Sequence, residues 1–253
     1  MEILRAQEKG VITKTITRQK ITVPSVDGKL LENKTGYIIL SMFGEKTEEE
    51  FLKKFLELKG SGATSYIIDL RDNGGGYLET AVNILSQFIE KGKVVVTTKE
   101  NNPFMNQSYF SQGDKNANFP IIVLINGNSA SASEITAGAL KDYNLAILMG
   151  EKSYGKGSVQ QPFSLSDGSE MKITVAKWYT PLDHGIDKIG ISPDIEVKLL
   201  KEDYEKGYDR QLEEAKKVME LYKKDGREKA VSQYLEKQKQ EALKTLSASG
   251  ATK

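Results

Sequence analysis

Short continuous apolar runs recur along the chain as far as residue 150, separated by stretches with a helical period. Tyr37-Ile38-Ile39-Leu40, Tyr66-Ile67-Ile68-Asp69-Leu70, Val94-Val95-Val96, Ile121-Ile122-Val123-Leu124-Ile125 and Leu145–Met149 do not alternate with polar residues. Runs of this length and character predict strands buried on both faces. Between them, Phe51, Leu52, Phe55, Leu56 and Leu58 share one face of a helix that ends near 59. Thr47 and Glu50 stand at capping-box spacing at its start. Leu78, Ala81, Val82, Leu85, Phe88 and Ile89 predict a second helix over 77–90, and a third is expected from Ser131 to about 143. Strand–helix–strand repetition of this kind predicts α/β layers.

The remaining segments are less regular. Residues 11–23 are rich in β-branched side chains and predict one long strand or a hairpin arm, broken by Pro24-Ser25 and Asp27-Gly28. Residues 100–118 are polar and poorly patterned, as in an excursion or flap. Two alternating runs over 158–178 predict a hairpin around Asp167-Gly168. After 200 the chain turns rich in Lys, Glu and Gln, with Leu212, Ala215, Val218, Met219 and Leu221 at helical spacing, and a second helix follows Asp225-Gly226. These helices form either an arm packed on the core or a dimerisation element. Residues 247–253 read as a disordered tail.

Charge and composition narrow the chemistry. The 36 basic and 35 acidic residues leave a net charge of +1, so no field draws nucleic acid or an anionic membrane. There is one histidine and no cysteine, which excludes disulfides, thiolate zinc sites and cysteine nucleophiles. No cluster has metal-ligand spacing, and no cofactor is expected. No apolar stretch approaches the roughly 20 residues that span a bilayer. The start, Met1–Arg5, lacks a basic-then-apolar export pattern.

Three serines crowd into Asn128-Ser129-Ala130-Ser131-Ala132-Ser133-Glu134, and Gly155-Lys156-Gly157 follows after enough chain for a helix, a strand and a turn. His184 lies in a turn-like segment, so a lysine is the proton acceptor at hand for a serine nucleophile. Lysine serves only as the neutral amine, which burial favours. The flanking glycines predict a buried Lys156, and Gln160 could hold the amine without recharging it. Ser131-x-x-Glu134 is also a capping box. The two readings are compatible, because a helix N-terminus offers free amides to an oxyanion. On composition alone Ser129 or Ser133 could equally be the nucleophile. Asp69-Leu70-Arg71-Asp72-Asn73-Gly74-Gly75-Gly76 is either a permissive tight turn or a set of exposed amides able to hold a carbonyl oxygen. Asp69 and Arg71 are expected to form a structural ion pair, and Trp178 and Tyr179 to pack the core or line a cleft. Gly150–Gly157 almost spells a phosphate-binding loop. However, Gly157 stands where magnesium needs Ser or Thr, and Pro162 would disrupt the helix that should follow.

Taken together, these segments resemble the carboxy-terminal processing proteases, the serine–lysine endopeptidases of the tail-specific protease family. Asp69–Gly76 is similar to the family's DLRxNxGG loop, Ser129–Glu134 to its nucleophile segment and Gly155–Gln160 to its lysine segment. Gly190-Ile191-Ser192-Pro193-Asp194-Ile195 is similar to its G-I-x-P-D-I close. The similarity runs from about 20 to 215. It implies a Clp protease/crotonase-like α/β core over 21–200, followed by the charged helices as a C-terminal extension over 201–246, through which two chains could pair. It implies Ser131 as nucleophile, Lys156 as general base and Gln160 as its orienting partner. The oxyanion donors would be the Ala132 amide and that of Gly75 or Gly76. The implied activity is endopeptidase cleavage near the C-termini of protein or peptide substrates, through an acyl-enzyme, outside the cytoplasm. Family members usually carry a PDZ domain ahead of this core. Residues 1–20 look like that domain's last strands or its linker, so a truncated chain is expected. Two rivals stand beside this reading. One is a catalytically silent peptide-binding module, with Lys156 in water and Ser131 inert. The other is an acyl-CoA enzyme of the crotonase type, which needs a carboxylate base near the glycine loop and an adenine pocket.

Overall fold

The structure, a computed structural model, describes residues 2–5, 10–17, 23–113 and 118–250, with the side chains of 242 and 245–250 excepted. The chain runs β1 (Glu2–Leu4), β2 (Val11–Thr13), β3 (Val26–Leu30), β4 (Thr35–Leu40), α1 (Thr47–Gly60), β5 (Ser65–Asp69), α2 (Leu78–Leu85), β6 (Val94–Glu100), β7 (Gln107–Phe110) and β8 (Ile121–Ile125). It continues α3 (Ala132–Asp142), β9 (Ile147–Gly150), β10 (Ser158–Ser164), β11 (Glu170–Tyr179), β12 (Ile195–Glu196), α4 (Lys201–Lys206), α5 (Arg210–Asp225) and α6 (Arg227–Gly250).

Six strands form the main sheet in the order β12-β9-β8-β5-β4-β3, parallel except for β3 at one edge. The continuous apolar runs have the cause expected of them, because both faces of this sheet are covered. Ile38, Leu40, Ile68, Val123, Ile125 and Leu148 point to the side packed by α1, α2 and α3. Tyr37, Ile67, Ile122, Leu124, Ile147 and Met149 point to the other side, where Ala215, Val218 and Met219 of α5 are fully buried with them. The C-terminal helices are thus an arm packed on the core, and they supply the second layer of the sandwich. A second, antiparallel sheet has the order β10-β11-β6-β7, with β10 on its edge. Its β10–β11 hairpin turns at Gly168, where φ is +84°.

Several local expectations are corrected. Asp27-Gly28 does not break the chain but lies inside β3. There, a Cβ on Gly28 would come within 2.5 Å of the Tyr37 carbonyl oxygen of the neighbouring strand. β2 spans only Val11–Thr13 of the predicted long strand, and 18–22 lie outside the described residues. Thr47 is the first residue of α1 rather than its cap. Its hydroxyl accepts from Gly44 N and donates to Met42 O, while Glu50 turns away to bind the backbone and hydroxyl of Ser25. α2 stops at Leu85, short of the predicted 90, and the Ser86 hydroxyl donates back to Val82 O. The polar excursion folds in part, because β7 pairs with β6; residues 114–117 lie outside the described residues. Within residues 1–20, β1 and β2 pair as two short antiparallel strands. Of the tail, α6 extends through Gly250 and 251–253 lie outside the described residues. Among the described residues no helix is long and apolar enough to cross a membrane.

Candidate active site

The site is assembled from three loops that leave the C-terminal ends of β5, β8 and β9. The β5 loop begins at a saturated guanidinium. Arg71 Nε donates to Asp69, Nη1 to Asp209 Oδ1 (2.8 Å) and Gln211 Oε1 (3.0 Å), and Nη2 to Asp69 Oδ2 (2.6 Å) and Asp209 Oδ2 (2.7 Å). The expected Asp69–Arg71 pair is present, joined by two side chains of the C-terminal arm that sequence reasoning missed. Asp72 follows with φ +59°, its carboxylate accepting from the side-chain amides of Asn126 and Asn128. Asn73 is fully buried. Its side chain donates to Leu40 O and accepts from Gly75 N, and its carbonyl accepts from Ala130 N and the Ser133 hydroxyl. The glycine loop is therefore seated directly on the serine segment. The fit leaves no room for side chains. A Cβ at Gly75 (φ +98°) would lie 2.6 Å from Ala130 O and 2.9 Å from Ala132 N, and one at Gly76 (φ +150°) 2.1 Å from Phe43 O.

The β8 loop separates the three serines. Ser129 donates to Leu70 O (2.7 Å) and Ser133 to Asn73 O (2.8 Å), and both are fully buried. Their hydroxyls are committed to the scaffold. Ser131 lies at the N-cap of α3 with φ +56° and ψ −115°, a conformation L residues rarely adopt, and its hydroxyl makes no capping hydrogen bond. Strain of this sort costs about 1–3 kcal/mol and persists where the surroundings over-determine it. The capping box is thus half formed. Glu134 Oε2 accepts from Ser131 N (2.9 Å), but the serine side chain is left free to face a cleft. Among the described residues the Ala132 and Gly76 amides donate to no protein acceptor, whereas the Gly75 amide is held by Asn73.

The β9 loop carries Lys156. Gly155 and Gly157 do bring backbone close, since a Cβ at Gly157 would meet Asp187 N at 2.5 Å. The expected burial of the amine is overturned. Close packing occupies one side of the loop and sends the Lys156 side chain out of the other, where it is exposed and lines the same cleft as Ser131. No hydrogen bond joins Ser131 Oγ to Lys156 Nζ. Trp178 fixes the loop through Nε1 to Lys156 O (2.9 Å) and its own backbone N–H to Gly157 O. Gln160, just past a bulge in β10, is exposed and reaches the cleft as well. The cleft has a volume of about 740 Å³, and its apolar lining includes Phe43, Leu78, Ile135 and Trp178. His184 lies away from it, exposed beside Asp142 (3.3 Å), and Lys99 sits over the Tyr179 ring at 4.3 Å.

The other residue that sequence reasoning missed is Glu134, read only as a cap partner. Its side chain is completely buried. Oε1 accepts from the Ser153 hydroxyl (2.6 Å) and Gly155 N (2.7 Å), and Oε2 from Ser131 N and Lys156 N (2.9 Å each). One carboxylate thus ties the serine segment to the lysine loop. A signal was present: α3 is buried continuously from Ala132 to Leu140, and a carboxylate in such a helix must find donors.

Two carboxylates, Asp72 on the β5 loop and Asp209 on the arm that clamps it, carry a pH dependence. The Asn128 and Asn126 amides hold the Asp72 carboxyl below its usual range. Burial works against ionising Asp209, but the hydrogen bonds from Arg71 and Leu212 N, joined by the charges of Arg71 and Lys216, together outweigh it and hold that carboxyl low too. A carboxyl depressed in the folded state stabilises it fully above the unfolded value of about 4, and this is lost as pH falls through the folded value. Urea unfolding is expected to give constant stability from neutrality to about pH 5 and a decline below about pH 4. Unchanged stability down to pH 2 would contradict this.

Residues 34–197 match peptidase family S41. The carboxyl-terminal-processing protease of Picosynechococcus sp. is 42% identical over 187 residues, covering 73% of this chain and 45% of the relative. The carboxy-terminal processing protease CtpB of Bacillus subtilis is 38% identical over 221 residues, covering 86% of this chain and 45% of the relative. Among solved structures, the photosystem II D1 C-terminal processing protease superposes with a TM-score of 0.61 at 33% identity, over 74% of this chain and 52% of that one. The chain spans about half the length of these relatives. Its architecture is the Clp protease-like α/β fold of these peptidases, as the resemblance implied. By sequence and by fold, the chain belongs to peptidase family S41.

Proposed function

We propose that this chain carries the peptidase centre of a carboxy-terminal processing protease working through a Ser131–Lys156 dyad. The observation that supports this most is the sorting of the serines and amides. Ser129 and Ser133 are spent on the scaffold, while the free Ser131 hydroxyl shares one cleft with Lys156 and Gln160. The uncommitted amides of Ala132 and Gly76 favour that pair as oxyanion donors over Gly75. Ser131 Oγ attacks the scissile carbonyl and the Lys156 amine, left without its proton once bound peptide displaces water from the cleft, takes the hydroxyl proton, with Gln160 orienting it. Lys156 then hands the proton to the departing amine. Water hydrolyses the resulting acyl-enzyme with the same lysine as base. Each oxyanion donor contributes roughly 3–4 kcal/mol in the transition state. The substrate, a protein or peptide near its C-terminus, lies along the unpaired edge of β10. The family's extracytoplasmic setting is carried over with the activity.

The exposure of Lys156 and the missing Ser131–Lys156 hydrogen bond favour one second reading, a peptide-binding module without catalysis. A fluorophosphonate probe separates the two. Labelling confined to Ser131, located by mass spectrometry and lost in Lys156→Ala, is the expected result. A chain that binds peptide but takes no label is the silent module.

A further inference from the structure

The first turn of α5 reaches the β5 loop from 138 residues away in sequence. We infer that Asp209, with Gln211, is a positioning residue for the catalytic loops, so that the C-terminal arm is a working part of the active site. The inference rests on the peptidase reading above.

The guanidinium of Arg71 has five N–H donors, and the arm supplies the acceptors for three of them: two on Asp209 and one on Gln211. Bidentate pairing of this kind fixes a direction as well as a distance. Both acceptors are themselves fixed. Asp209 Oδ1 accepts from Leu212 N as the N-cap of α5, and the fully buried Gln211 donates to Val197 O (2.7 Å). Arg71 is therefore held between the sheet and the arm.

Its two chain successors make the contacts that matter for chemistry. Asp72 latches Asn126 and Asn128, which lead into Ser129–Ser131. Asn73 holds Gly75 N and receives Ala130 N and the Ser133 hydroxyl. A shift of Arg71 passes through Asp72 and Asn73 to both the nucleophile and the glycine loop. A misplacement of about 1 Å in such a constellation costs on the order of 100-fold in rate.

The clamp can be loosened without dismantling the fold. Arg71, Asp209 and Gln211 line a cavity of about 670 Å³ on the arm side of the loops, and the Asp209 side chain is 39% exposed. Water there can take the vacated donors. Asparagine is as good an N-cap as aspartate, so Asp209→Asn keeps the helix start while turning an amide N–H₂ toward Arg71. Asp209→Ala removes cap and clamp together.

The experiment measures kcat, KM, the rate of Ser131 labelling and Tm for the full chain, Asp209→Asn, Asp209→Ala and Asp209→Glu. Asp209→Asn is expected to lower kcat and the labelling rate in parallel by about tenfold to a hundredfold, with KM within about twofold. Its Tm should stay well above the assay temperature. Asp209→Glu, which restores a bidentate acceptor, should recover part of the loss. Wild-type kcat in a folded Asp209→Asn overturns the positioning role alone, as does a loss confined to KM. Absence of both cleavage and Ser131 labelling in the unaltered chain overturns the peptidase reading, and the positioning role with it.

Discussion

Ser131→Ala is expected to lower peptide cleavage by about 10⁴-fold or more, and Lys156→Ala by a similar factor, because groups that act as one unit fail together. Neither change should cost measurable stability. The Ser131 hydroxyl makes no capping bond, and alanine meets the same backbone strain that serine does. Lys156 is exposed, and its loop is held through backbone atoms by Glu134 and Trp178. Lys156→Arg should be as inactive as the alanine variant, since a guanidinium does not give up its proton near neutrality. The neighbouring serines provide the contrast. Ser129→Ala and Ser133→Ala remove buried donors to Leu70 O and Asn73 O and should lower stability by about 1 kcal/mol each, with a far smaller loss of rate than Ser131→Ala. Turnover of an unfolded protein substrate within tenfold of the unaltered chain by either Ser131→Ala or Lys156→Ala would remove the dyad.

Much of this architecture was legible in the sequence because burial on both faces leaves a signature no local effect imitates. Five continuous apolar runs became strands, all but one in the main sheet. Val94–Val96 went to the second sheet, since an apolar run reports burial but not which partner provides it. The spacing of Ser131, Lys156 and Gln160 likewise brought three side chains to one cleft. The errors have a common physical origin. Flanking glycines report how near the backbone of Lys156 comes to its neighbours, not where four methylenes then lead the amine. The Thr47–Glu50 spacing permits a capping box, but Ser25 offered Glu50 a backbone and a hydroxyl donor at once. Arg71's partners on α5 could not be found from periodicity, because an N-cap aspartate reads as a local signal.

Glu134 is the residue whose loss should be felt in stability and in rate together. Its two carboxylate oxygens each accept two donors, and among those four are the backbone amides of both Ser131 and Lys156. Glu134→Gln keeps the shape but replaces one acceptor oxygen with a donor. Whichever way the amide is turned, two donors lose their partner. Set toward Ser131 N and Lys156 N, it pushes apart the backbones that carry Ser131 and Lys156. Set toward Ser153 and Gly155, it loosens the lysine loop alone: Gly155 N loses its acceptor, and the Ser153 hydroxyl, which already accepts from Ile191 N, keeps a lone pair for the amide but loses the acceptor of its own proton. Each stranded buried donor costs about 1–3 kcal/mol, so a loss of about 3 kcal/mol in urea unfolding is expected. Displacing either backbone by about 1 Å should lower kcat by on the order of 100-fold even in the fraction that remains folded. Glu134→Asp restores the charge but is a methylene too short to span both segments, and it should recover stability better than rate. Circular dichroism at the assay temperature establishes how much of each variant is folded, and the fluorophosphonate labelling rate per folded molecule reads the geometry. A folded Glu134→Gln chain that labels Ser131 at the unaltered rate would show that the carboxylate caps α3 and nothing more.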